Sequence, residues 1–116
     1  MNKRIYVAGA MSDLSCIKFL ENLRRGIRVS AELVLRHYHP FSTFIDFQFF
    51  LALRNDEKIT DKMIKEYSLS WLEVSDAVLV LPDYESSKGT IAEIKRAEEL
   101  NISVYYSMEE LVDGTT

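Results

Sequence analysis

Residues 77–82 read Ala77-Val78-Leu79-Val80-Leu81-Pro82: five apolar residues in succession, then a proline. An unbroken apolar run of that length, stopped by Pro, suits a strand covered on both faces of a parallel sheet. On its N-terminal side, a helix is expected after Thr60, carrying Met63, Ile64, Tyr67, Leu69, Trp71 and Leu72. On its C-terminal side, Thr90 to Leu100 reads as a helix, Ile102 to Tyr106 as a last strand, and Met108 to Val112 as a short closing helix. Further upstream, Arg4 to Ala8 is a short apolar run ending at Gly9, with turn residues in Ala10-Met11-Ser12-Asp13. From Ser15 to Arg36 apolar residues recur at helical spacing (Phe19, Leu20, Leu23, Ile27, Ala31, Val34, Leu35), interrupted by Gly26. Tyr38 to Phe41 fits a second strand, with Pro40 suited to an edge position. Asp46 is placed to cap a helix running from Phe47 to Leu53.

Strands separated by helices imply right-handed crossovers and a doubly wound, flavodoxin-like or Rossmann-like α/β sheet. Four strands give the order 2-1-3-4, with strands 1 and 3 adjacent and their crossovers leaving to opposite faces. A ligand crevice belongs at the carboxyl ends of those two strands. Gly9 to Ser15 and Pro82 to Glu93 are then its two walls.

Composition narrows the chemistry. The 116 residues leave room for one domain and one hydrophobic core, so residues 1–116 are read as a single domain. A lone cysteine, Cys16, permits no internal disulfide and fits a reducing, cytoplasmic setting. No targeting leader is read at the N-terminus, and no segment reaches the ~20 apolar residues of a membrane span. Two histidines and one cysteine are a poor basis for a zinc site, and no metal is expected. The net charge of −4 argues against nucleic acid as partner. Lys3, Arg4, Arg24, Arg25 and Arg28 read as a solvated face. Neither Gly-x-x-x-x-Gly-Lys nor Gly-x-Gly-x-x-Gly occurs, so neither a phosphate loop of that type nor a dinucleotide cofactor is expected.

The segment Ser87-Lys88-Gly89-Thr90-Ile91-Ala92-Glu93 admits two readings. In one, Thr90 and Glu93 form a Thr-x-x-Glu capping box, the reading that spacing alone favours. In the other, Ser87, Gly89 and the helix N-terminus offer hydroxyl and N–H groups to a polar ligand, and Glu93 faces the crevice as an anion. The aromatic cluster Phe41, Phe44, Phe47, Phe49 and Phe50 is likewise open between core and oligomer interface. Trp71 is read as packing rather than as a platform for a base.

Three stretches taken together, Ile5-Tyr6-Val7-Ala8-Gly9-Ala10-Met11, Ser70-Trp71-Leu72-x-x-Ser75-Asp76-Ala77-Val78 and Ser87-x-Gly89-x-x-x-Glu93, resemble the nucleoside 2-deoxyribosyltransferase superfamily. That group includes deoxynucleoside-monophosphate N-glycosidases and small uncharacterised, often phage-borne, members. Asn101-Ile102-Ser103-Val104 is similar to its last strand, so the resemblance spans nearly the whole chain. It implies a nucleoside or nucleotide substrate, no cofactor, and Glu93 as a nucleophile toward the anomeric carbon, with Tyr6 beside it. It also implies that Gly9, Ala10, Met11 and Ser12 surround the sugar or its 5′ substituent, and that Ser87 and Gly89 hold the sugar or phosphate. The chemistry is that of retaining glycoside hydrolysis, in which an oxocarbenium-like transition state collapses onto a carboxylate.

Two departures stand against it. Ser68 occupies a position where catalytic members often carry an aspartate, and Ala10 and Ser12 replace the Ser and Arg of the monophosphate hydrolases. Losing that arginine removes a bidentate phosphate clamp, which disfavours a 5′-monophosphate. Asp46, Asp13, Glu85, His37 and His39 are the candidates for the missing acid, each with an ordinary reading as a cap or loop residue. Asp46 is also counted among the substrate-binding residues. The expectations are therefore an N-glycosyl enzyme, a non-catalytic binder of a nucleotide-like ligand, or an interaction module using the aromatic helix. A homodimer or higher oligomer is expected in each case.

Overall fold

A computed structural model describes residues 3–116. Four strands, β1 (Arg4–Ala8), β2 (His39–Ser42), β3 (Ala77–Val80) and β4 (Ser103–Tyr105), form one sheet in the order β2-β1-β3-β4. All three pairings are parallel, with Tyr6 opposite Phe41 on one side and Val78 on the other. The connections are helical: α1 (Cys16–Leu35), α2 (Asp61–Leu72), α3 (Lys88–Glu99) and, after the last strand, α4 (Met108–Thr115). The α/β architecture and strand order are those expected from the strand–helix alternation. No helix of the described residues is long and apolar enough to cross a membrane.

Side chains of β1 alternate between two apolar layers, as pleating requires. Ile5 and Val7 join Leu23, Leu33, Phe44, Leu79 and Leu111 on one face. Tyr6 and Ala8 join Leu72, Val78, Val80, Ile94 and Ala97 on the other. Helix starts follow side-chain capping: Ser15 accepts from the Lys18 N–H at 3.3 Å, Thr60 from Met63 at 3.2 Å and Ser107 from Glu110 at 3.1 Å. Pro40 does sit on an edge strand. The His39 N–H bonds inward to the Lys3 carbonyl at 2.8 Å, so residue 40 is a position whose N–H would face outward, and Pro has none.

Four expectations need correction. Residues 43–52 wind as a 3₁₀ helix (Thr43–Ala52) and not as an α-helix from 47 to 53, and Asp46 lies inside it, buried, capping nothing. Three residues per turn align Thr43 with Asp46 on one side and Phe47 with Phe50 on the next. Helix α3 begins at Lys88 with Ser87 as its cap, two residues before Thr90. Helix α4 runs on past Val112 to Thr115. Gly26 does not weaken α1 by accident: a Cβ there would stand 2.2 Å from the Phe44 ring, so the helix needs a bare backbone where that ring seats. Boundaries of β2, β3 and β4 differ by a residue or so from those read in the sequence. Tyr38 precedes β2 and is buried, its hydroxyl 2.6 Å from that of Thr115. Leu81 follows β3, yet its N–H still bonds to the Ala8 carbonyl at 2.9 Å.

Candidate active site

The carboxyl ends of β1 and β3 open into a cavity of about 710 Å³, within the range of small-molecule sites. Its walls are the loop after β1, the 3₁₀ helix, one face of α2 and the first turns of α3. Gly9, Ala10, Met11, Ser12, Asp46, Ser87, Gly89 and Glu93 all line it. Tyr6 lies beneath, wholly buried on β1, and its hydroxyl donates to Glu93 Oε2.

That hydrogen bond, together with the start of α3, excludes the capping-box reading of Glu93. Ser87 caps α3, its Oγ accepting from the Thr90 N–H at 3.2 Å and from the Thr90 hydroxyl at 2.9 Å. Thr90 is therefore the third residue of the helix, not its cap, and Glu93 lies a turn further in. The capping-box geometry does not form. Facing the sheet, Glu93 meets the tyrosine of the neighbouring strand.

Burial pushes the Glu93 carboxyl up to about 7; the Tyr6 hydrogen bond opposes the rise and the charge of Asp46 adds to it. Asp46 is only 7% exposed, and burial lifts it to about 6, offset in part by its bond from Ser68. Ser68 Oγ donates to Asp46 Oδ2 at 3.1 Å. The Tyr6 phenol is pushed far above its usual value by burial and then by the Glu93 charge, so it stays protonated and remains a donor. Two desolvated carboxyls within electrostatic reach of one another, each holding one hydroxyl donor, can divide the roles of nucleophile and acid.

The rest of the site is held by packing. Gly9 lets the β1 loop approach β3: a Cβ would meet Leu81 Cβ at 3.0 Å and the Phe44 ring at 3.1 Å. The Met11 carbonyl is tied to α1 by Asn22 Nδ2 at 3.1 Å. Around Gly89 there is open space, the Ser87 Oγ at 4.0 Å being all a Cβ would meet. Backbone N–H groups of the first turn of α3 lack partners inside the helix and face a region where anionic or hydroxyl groups are favoured.

Of the five candidates for the missing acid, Asp46 alone lines the cavity. Asp13 Oδ1 accepts the Ser15 N–H at 2.9 Å, Glu85 lies in the exposed turn before α3, and His37 and His39 line a different hollow. Sequence reading missed Asp61, Ile64 and Lys65, which join Ser68 and Leu69 on the cavity face of α2. Their spacing of three and four was the available signal. Trp71 packs on one side only: its ring is stacked on Phe41 at 5.7 Å and 13°, and the residue stays 46% exposed. The 3₁₀ helix is less buried than an all-apolar helix would be: Phe49, Phe50 and Leu51 are exposed.

Residues 3–106 match the family model described as Domain of unknown function (DUF4406). The chain belongs to that family. No curated protein matches the DUF4406 chain. Among solved structures, it is similar to a 2-deoxyribosyltransferase from the psychrotolerant bacterium Bacillus psychrosaccharolyticus, with a TM-score of 0.60 over 87% of this chain and 69% of that one. Identity is 16%, so the likeness to this DUF4406 protein is one of fold.

Proposed function

We propose that this DUF4406 protein is an N-glycosyl enzyme that cleaves or transfers the base of a nucleoside or nucleotide, with Glu93 as nucleophile. The observation that carries the reading is the Tyr6–Glu93 hydrogen bond at the floor of a cavity that Asp46 also lines. The superfamily resemblance of the Ser87-x-Gly89-x-x-x-Glu93 element and the deoxyribosyltransferase-like fold support it.

In this mechanism Tyr6 holds Oε2 and orients the carboxylate, leaving Oε1 to attack C1′. The C1′–N bond breaks as the C1′–O bond to Glu93 forms, and the base leaves with the proton of Asp46. Water then attacks C1′ and returns a proton to Asp46, freeing the sugar and the Glu93 carboxylate. A second base in place of that water yields transfer. Asp46, held by the Ser68 hydroxyl, takes the part left open where related enzymes carry an aspartate at the Ser68 position. Gly9 to Ser12, Ser87 and Gly89 bind the sugar and its 5′ substituent.

The reading requires Glu93 ionised and Asp46 protonated together. Asp46 titrates at about 6 and Glu93 at about 7, so this is the minor of the two singly protonated arrangements, and base release follows a bell-shaped pH profile with its maximum between those values. The test is a panel of nucleosides and deoxynucleotides, with free base followed by chromatography and the protein by mass spectrometry. A glycosyl adduct on Glu93 and loss of turnover in Glu93→Gln are expected. Base release from no member of the panel, alongside saturable ligand binding, replaces this reading by that of a non-catalytic binder.

A further inference from the structure

At the other end of the sheet, around the start of edge strand β2, lies a second hollow of about 540 Å³. Arg4 lines it while Gly9 lines the first cavity, and five extended residues separate the two by roughly 16 Å. Its floor includes Trp71, the sole tryptophan of the chain. One face of that indole rests on Phe41, yet Trp71 is 46% exposed, so an aromatic surface stays open.

The ionisable side chains at the rim are Arg4, His37, Tyr38 and His39, with no carboxylate lining it among the described residues. The Tyr38 hydroxyl is already engaged with Thr115, and none of the other three is in an ion pair among the described residues. This occurs in a chain with 18 acidic and 14 basic residues. Asp76 is engaged by the backbone N–H of Arg4 at 2.8 Å and does not line the hollow. Two helices end here, so the rim cations face the negative ends of their dipoles, although several of the last carbonyls are occupied. His37 N–H bonds to Val34 O at 2.9 Å, Tyr38 N–H to Leu33 O at 2.9 Å, and the Ser75 hydroxyl to Trp71 O at 2.8 Å. The rim thus offers donors and a guanidinium. His37 is fixed there by a left-handed backbone, φ 70°, which histidine adopts more readily than most residues.

We propose that this hollow is a second ligand site, taking a planar heteroaromatic ring that carries an anionic group, the chemistry of a free nucleoside monophosphate. The ring stacks on the open face of Trp71, as bases stack on aromatic side chains. The phosphate meets Arg4, with His37 and His39 as further donors. A run of rings leads from this hollow toward the candidate active site: Trp71 on Phe41, and Phe41 on Tyr6 at 5.5 Å and 22°, whose hydroxyl holds Glu93.

The test is a nuclear magnetic resonance titration of ¹⁵N-labelled Glu93→Gln protein, which cannot consume ligand, with adenosine monophosphate. The single indole N–H of Trp71 and the amides of His37, Val74 and Ser75 are expected to shift saturably. Gly9 and Gly89 report separately on the first cavity. Adenosine alone and inorganic phosphate alone should each bind at least about tenfold more weakly. Arg4→Ala, at an exposed side chain, should weaken the second-site response by roughly tenfold, the loss expected for one charge-assisted hydrogen bond, without moving the response at Gly9 and Gly89. Shifts confined to Gly9 and Gly89, an unchanged response in Arg4→Ala, or equal binding of adenosine would overturn the proposal. A 5′-phosphorylated oligonucleotide that binds more tightly than the free nucleotide would assign the site to strand ends and overturn the free-nucleotide assignment.

Discussion

Phe44 and Tyr6 are both fully buried aromatic side chains, packed on opposite faces of the same sheet, and they do opposite things to the protein. Phe44 seats against the bare backbone of Gly26 amid aliphatic neighbours. Its contribution is hydrophobic transfer and close packing. The Tyr6 ring is stacked on Phe41, but its hydroxyl bonds to the half-buried Glu93, close to a second polar pair, the buried Ser68 and Asp46. Desolvating two carboxyls is costly, and their raised pKa values express that cost. One face of the sheet is arranged for stability. At its crevice end the other holds groups that destabilise the fold, a pattern typical of functional sites.

Substitution on each side separates the two roles. Glu93→Gln is expected to lower base release by a factor on the order of 10³ or more while the fold persists, measured by chromatography beside circular dichroism. Full turnover by that variant would end the nucleophile assignment. Gly26→Ala is the counterpart on the other face: its Cβ must displace the Phe44 ring, at roughly 3 kcal/mol by chemical denaturation. Unchanged stability there would mean that the ring has room to move.

The third expectation concerns pH. Glu93 and Asp46 have folded-state pKa values raised above those of the unfolded chain, so the folded state holds more protons between the two. Their favourable contribution is therefore fully present below about pH 4 and is lost as pH rises toward about 7, by a total of roughly 6 kcal/mol. Glu93→Gln should flatten that slope and be the more stable protein at pH 7.5, whereas substitutions around Phe44 should leave the slope intact. Denaturation midpoints across pH decide it, and an unchanged slope in Glu93→Gln would sink the claim.

Smaller effects sharpen the contrast within the polar chain. Ser68→Ala removes the donor that favours ionised Asp46, so the Asp46 titration followed by carboxyl resonance should move above about 6, with about 1 kcal/mol of stability lost. Gly89→Ala is expected to change stability by less than ~0.5 kcal/mol, because its Cβ enters open space, and yet to weaken substrate binding. A marked loss of stability would show that Gly89 is structural.

Much of this was legible before any coordinates. Strand positions followed from the apolar runs at Arg4–Ala8 and Ala77–Leu81, because a strand buried on both faces has no polar positions to alternate with. Sheet order followed from the flavodoxin-like pattern expected of strands joined by helical crossovers, and the crevice from sheet order. Each is a local pattern or a general rule of chain topology. Tertiary structure alone decided where side chains meet across the fold. Thr-x-x-Glu spacing fits a capping box, but whether Glu93 bonds to a backbone N–H nearby or to Tyr6, 87 positions away, depends on which residue starts α3 and what strand lies beneath it. Asp46 looked like a cap because its neighbours looked α-helical. Three-residue winding turned it inward onto Ser68, 22 positions on. Gly26 is a weakness in an isolated helix and a requirement in this one, because the Phe44 ring seats on its bare backbone. Local propensity follows from covalent neighbours and is written in the sequence. The partners of buried polar atoms are set by distance in space, which only the packed chain defines.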